Sequence, residues 1–174
     1  MIEHRLIERM IALSGAELER IRSGSDPDLR LLEAATDFMR TYADRTHHGK
    51  EENILFRELA RKELSVADRA TMQKLIREHS WARERTTELN IAVEQASFGG
   101  PLQGPDITAV LQALVEFYPQ HIALEDSVFF PAAVKYLTDA EQKIMLEHFE
   151  EFDSGLIHKK YTEIVESLES GNAR

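Results

Sequence analysis

A stripe of apolar residues at Ile107, Val110, Leu111, Leu114, Val115 and Tyr118 recurs at the spacing of one helix face. It then runs in the same step into His121, Ile122 and Glu125. Three other segments repeat the pattern. Met72, Leu75 and Ile76 lead to His79; Leu31, Ala35, Phe38 and Tyr42 lead through His48 and Glu52 to Leu55 and Leu59; His4 stands in line with Ile7 and Ile11. Such a chain must pack four amphipathic helices around one core and bring a histidine inward on each. No period-two alternation bounded by turn residues occurs, so the expected class is all-α.

Local signals divide the helices. The first spans about 2–22 and ends in Ser23-Gly24-Ser25. Asp26 and Pro27 read as the N-cap and first turn of a second helix reaching about Lys62. Ser65 with Asp68 opens a third, running to about Ser97; Gly99 to Pro105 form the longest loop, and Asp106 caps the fourth. Thr138 and Glu141 form a capping box for a fifth segment, broken near Gly155 and finishing by Ser170. Short connections favour an up-down-up-down four-helix bundle with an additional C-terminal helical segment. One domain is expected over 1–174, its core bundle in about 1–137 and the C-terminal segment in about 138–170.

The 174 residues are 43% hydrophobic, enough for a core. There is no cysteine, which excludes disulfides, thiolate zinc sites and cysteine-bound clusters, so any metal must be held by imidazole and carboxylate. A formal charge of −10 argues against a nucleic-acid partner. No apolar run is long enough for a membrane span, and the charged start MIEHRLIERM does not read as a secretory signal, so a cytoplasmic location is expected.

Residues i and i+4 on a helix share a face, so His48 with Glu52 and His121 with Glu125 can each aim at one point. Carboxylates in a core are costly to ionise alone, and cations between them remove that cost. His47 and Glu51 form an alternative pair offset by one residue. They fall with Arg40, Asp44 and Glu58 on a polar face, so His48 and Glu52 are the expected pair. His148 and Trp81 read as packing residues. Pro119, two residues before His121, is expected to kink the fourth helix and help aim that histidine.

HHGKEENILF at 47–56, EH at 78–79 and HIALEDSVFFP at 121–131 resemble the hemerythrin-like, or HHE cation-binding, family, as do EHRLIERM at the start and HKKYTEIVESL at 158–168. The resemblance extends over nearly the whole chain. It implies a four-helix bundle with two iron ions, oxo- or hydroxo-bridged, ligated by His4, His48, Glu52, His79, His121 and Glu125. Glu52 and Glu125 would bridge, with His4 and His48 on one metal and His79 and His121 on the other. Asp126, one residue beyond Glu125, matches the aspartate of the oxygen carriers and stands as the alternative ligand. Glu8, one turn after His4, and His158 are further ligand or outer-layer candidates. Where the oxygen carriers have a second histidine on the third helix, this chain has Arg83; it cannot ligate, but can pair with a carboxylate such as Glu8 or Glu51.

Three functions are compatible with this pattern. The first is binding or sensing of oxygen, nitric oxide or peroxide, with weak peroxidase- or catalase-like turnover as its enzymatic variant. The second is iron sensing or sequestration with folding coupled to occupancy. The third is a metal-free interaction module. The C-terminal helix is a candidate homodimer surface.

Overall fold

The computed structural model describes residues 2–98, 106–153 and 157–171; the expected loop at 99–105 and the break at Gly155 lie outside them. The described residues are helical with no strand. Helix α1 spans Ile2–Arg22, α2 runs continuously over 29–59, α3 spans Val66–Ser97, α4 covers 107–136, α5 is Asp139–Phe152 and α6 is Ile157–Glu169. The first four close a ring: α1 packs on α2 and α4, and α3 packs on the same two. The C-terminal pair lies outside this ring, α6 against α1 and α2, α5 against the 51–56 stretch of α2.

The helix ends follow from local chemistry. Gly24 takes φ +89°, the left-handed geometry that terminates α1, and its amide donates to Ile21 O at 2.9 Å. The cap of α2 is Asp28, not Asp26: its carboxylate accepts from the amides of Arg30 and Leu31. Pro27 therefore precedes the cap instead of opening the first turn. Ser65, Asp106 and Thr138 cap α3, α4 and α5, and Thr138 with Glu141 completes a reciprocal capping box. No described helix is long and apolar enough to cross a membrane.

Two apolar clusters fill the interior, with a polar layer between them. The first gathers Met10, Leu32, Phe38, Tyr42, Leu89, Leu114, Tyr118 and Tyr161. The second gathers Leu55, Leu59, Met72, Leu75, Phe129 and Met145. Along α2, α3 and α4 the histidines fall between residues of one cluster and residues of the other. Burial of such side chains contributes roughly 1.5–3 kcal/mol each, so the packing on both sides holds the layer in place.

Two stretches of α2, Met39–His48 and Glu51–Phe56, and one of α4, Glu125–Phe129, are wound as π-helix with i→i+5 hydrogen bonds. A wider turn lowers the angle between successive side chains. Neighbours that would diverge on an α-helix can then share a face. In α4 the α-helical run continues through Pro119 to Leu124, and the winding changes at Glu125, so the irregularity falls after His121 and not at the proline. If Asp28 is the cap, Asp28→Ala should lower stability by about 1 kcal/mol while Asp26→Ala leaves it unchanged. Urea unfolding of the two variants checks this, and equal losses would contradict the assignment.

Candidate metal centre

Five histidines enter the polar layer: His4 from α1, His47 and His48 from α2, His79 from α3 and His121 from α4, each 2% exposed or less. Two glutamates join them, Glu51 from α2 and Glu125 from α4. Their nearest atoms divide into two groups, His4 with His47 and His48 with His79 and His121, and the two carboxylates span both. Glu125 Oε2 lies 3.2 Å from His4 Nε2 and 4.0 Å from His47 Nε2. Its Oε1 lies 3.3 Å from His121 Nε2 and 3.6 Å from His79 Nε2. Glu51 repeats the arrangement, with Oε1 at 3.6 Å from His47 Nε2 and Oε2 at 3.4 Å from His79 Nε2.

A ring of outer carboxylates faces the other nitrogen of each imidazole. Asp126 lies 2.9 Å from His4 Nδ1, Glu3 3.0 Å from His47 Nδ1, Glu52 2.8 Å from His79 Nδ1 and Glu78 2.9 Å from His121 Nδ1. Asp44 stands 3.5 Å from His48 Nδ1. An imidazole that donates Nδ1–H to a carboxylate carries its lone pair on Nε2, which here points inward. Arg83 completes this outer layer, donating to Asp44 and to Glu52, each at 2.6 Å.

Without cations the arrangement is unfavourable. Most of the buried side-chain polar atoms that find no hydrogen-bond partner among the described residues belong to this cluster: both nitrogens of His48, Nε2 of His79 and His121, and all four oxygens of Glu51 and Glu125. His4 Nε2 and His47 Nε2 face each other at 2.9 Å. Orphaned polar groups in a core are rare and costly, and converging imidazole lone pairs and carboxylates are the donor set that divalent transition metals take. The residues fit a pair of cations.

The electrostatics agree. Burial, reinforced by the charge of Glu125, pushes the Glu51 carboxyl well above its usual range. Burial opposes ionisation of Glu125 too, but the imidazoles of His4 and His79 beside it outweigh burial and hold this carboxyl low. Burial lowers His47 and, more strongly, His48, keeping both neutral and able to ligate. Glu52, Glu78 and Asp126 are held below the carboxylate range because their imidazole partners, and Arg83 beside Glu52, overcome desolvation.

The expected ligand set needs revision at α2. The structure brings His4, His48, His79, His121 and Glu125 into the cluster but leaves Glu52 outside it, gripping His79 Nδ1. Glu51, expected on the polar face, takes the inner position, and His47 enters as a fifth imidazole. The reason is the π-helical winding, which turns His47 and His48 inward together; regular α-helical phase had separated them. His48 joins His79 and His121 instead of His4, its ring stacked on His79 at a centroid distance of 4.0 Å. It stands with His79 and His121 on the side where α3 carries Arg83 in place of a second histidine. No simple sequence signal marks the wide turns, although the doublet His47-His48 followed by Glu51-Glu52 is consistent with them.

The remaining candidates lie farther out. Asp126 sits behind His4 and also accepts from Arg5, and Glu8 is turned to the surface with Arg5 at 2.7 Å. Arg83 pairs with neither Glu8 nor Glu51. His158, over a third exposed, contacts Asp153 at 2.9 Å and Tyr42 Oη at 2.9 Å. His148 is exposed, and Trp81 packs on Phe117 with centroids 4.7 Å apart.

The model of one protein family, the Hemerythrin HHE cation binding domain, matches residues 1–133. No curated protein and no solved structure matches the chain.

In a metal titration, His47→Ala and Glu51→Ala should each lose stoichiometric binding. Glu52→Gln should keep the stoichiometry while affinity falls about 10–100-fold, the usual effect of losing an outer partner. Retained stoichiometry in Glu51→Ala with loss in Glu52→Gln would restore the pair expected from regular helix phase.

Proposed function

The chain belongs to the hemerythrin HHE cation-binding domain family, and from that premise we propose that it holds two iron ions and binds or senses a small molecule, oxygen, nitric oxide or peroxide. In this reading the four-membered ring is an up-down-up-down bundle. His4 and His47 hold one ion, His48, His79 and His121 the other, and Glu51 and Glu125 each give one oxygen to either side. The observation that carries the reading is the double polarity of the imidazoles: Nε2 inward, Nδ1 against a carboxylate, with two glutamates spanning both groups.

A pair of iron ions, when bound, supplies one-electron redox change and affinity for diatomic and peroxide ligands. The protein's share is positioning and exclusion of water. Asp126, Glu3, Glu52 and Glu78 fix the tautomer and orientation of their histidines. The two apolar clusters close the layer off from above and below. Two imidazoles would hold the ion on the His4–His47 side and three the other, so the former side would be the one to accept an exogenous ligand. The chain has no cysteine to serve as a competing nucleophile.

A second reading, iron sensing or sequestration, draws support from the unpartnered carboxylates of Glu51 and Glu125. A core that carries them is stabilised by whatever cation neutralises them, which couples folding to occupancy. Spectral response to small ligands separates the two readings. Protein from iron-supplied cells should contain about two iron ions per chain, as in bundle carboxylate centres, and absorb in the near ultraviolet. Addition of oxygen or nitric oxide to the reduced form should change the spectrum; an inert spectrum with full iron loading would favour the second reading, and zinc alone would overturn both. Chelation should lower the melting temperature, since a site saturated at about 100 times Kd adds about 2.7 kcal/mol and each kcal/mol moves a chain of this size by about 2–4 °C.

A further inference from the structure

A polar cavity of about 160 Å³ opens between α2 and α3, and the charged residues that line it are Arg40, Arg45, Arg83 and Asp44. Two buried side chains, His48 and Tyr118, each 1% exposed, also border it. On a chain of formal charge −10, three guanidinium groups to one carboxylate is a local reversal of sign. Arg40 and Arg45 stand five residues apart within Met39–His48, the interval at which i→i+5 turns stack side chains. Both therefore fall on one side of α2.

The hydrogen-bonding capacity of the cavity lies almost wholly with donors. Arg45 has no partner among the described residues, and Arg40 reaches only Asn90, at 3.5 Å. Arg83 commits Nε to Asp44 and one Nη2 hydrogen to Glu52, which leaves the rest of its five N–H groups unused. The Tyr118 hydroxyl makes no hydrogen bond among the described residues. His48 differs from the other four imidazoles, each of which holds an acid within 3.0 Å of Nδ1. Asp44 stays 3.5 Å from His48 Nδ1 and is turned to Arg83, so that nitrogen has no partner. The one charged acceptor in the cavity is thus already taken. Buried donors are rarely left unpaired, and several of them around one cavity call for an acceptor from outside the chain.

We propose that this cavity binds a small oxyanion between Arg40, Arg45 and Arg83, and that the bound anion acts on the centre through Arg83. The site lies on the protein beside the centre and is not a position on the ions. Guanidinium forks match the oxygens of phosphate and carboxylate in pairs. A water's share of the liquid is about 30 Å³, so the cavity has room for an anion the size of phosphate. Arg83 is the route inward, because it donates to Asp44 beside His48 and to Glu52 behind His79. A guanidinium shared with an anion pulls less on both acids. Asp44 is then free to close on His48 Nδ1, and Glu52 bears more fully on His79. The binding site stands on its own residues; its effect on the centre rests on the reading of the centre as a pair of iron ions.

The test titrates iron-loaded protein with inorganic phosphate by calorimetry and follows the near-ultraviolet spectrum in parallel. One phosphate should bind per chain and shift the iron bands. Arg40→Ala and Arg45→Ala, both at exposed positions, should carry full iron and bind phosphate about tenfold more weakly, each having lost a hydrogen bond between charged groups. Tyr118→Phe, which removes only the hydroxyl, should weaken binding as well. No binding to the wild type overturns the site. So does equal affinity in both arginine variants, which would put the phosphate on the iron ions or elsewhere. Binding that depends on the arginines while the iron bands stay unmoved overturns the effect on the centre. Protein that takes up no iron yet binds phosphate through Arg40 and Arg45 defeats the reading of the centre and upholds the site.

Discussion

The carboxylates of Glu51 and Glu125 sit in the middle of a bundle whose interior is mostly apolar or aromatic, and much of the architecture answers to them. Two acids at that depth repel each other and lack water; burial and mutual charge drive one toward the neutral form while imidazole contacts keep the other ionised. Four of the five imidazoles around them would in turn lie poorly oriented without the outer acids that take their Nδ1 protons. The outer acids need cations of their own: Arg83 for Asp44 and Glu52, Lys50 for Glu3, Arg5 for Asp126. Charge thus alternates in shells from the centre to the surface. The chain's acidity is partly a product of this layering, since each inward histidine brings a carboxylate behind it.

Apolar packing and polar layering also divide the work of stability. Clusters on either side of the histidine layer supply the hydrophobic burial, and the layer between adds little of it. Tyr42 and Tyr118 mark the boundary, fully buried at their rings, and burial raises the phenol of each well above its usual value. Both are therefore neutral hydroxyls at neutral pH.

The helices, most caps and the inward faces of four histidines were legible in the sequence because all depend on local spacing: a 3.6-residue period, a capping side chain three residues from its partner, an apolar stripe interrupted by a ring. Asp28 displaced Asp26 as a cap because two carboxylates stood two residues apart and only packing of α2 selected between them. The placement of Glu52 behind His79 has another origin. An α-helical pitch from Leu31 to Leu59 spans two stretches that are wound wider. Apolar residues on both sides stayed in step, so nothing in the stripe revealed the shift; only the side chains within it changed places. Likewise the family pattern on α3 pointed to a missing imidazole, and only three-dimensional proximity identifies His48 as the ring that stands beside His79.

The wide winding of α2 has a consequence for how such a centre tolerates change in its sequence. A turn closed by an i→i+5 bond takes in one residue more than its α-helical counterpart, so each such stretch behaves as an insertion swallowed by the helix without breaking it. The extra length is what lets adjacent histidines serve opposite halves of one centre while Leu55 and Leu59 still reach the second core. A chain shortened by a single residue there would keep its hydrophobic phase while His47, His48, Glu51 and Glu52 changed faces, so the composition of the polar layer hangs on one residue of helix length.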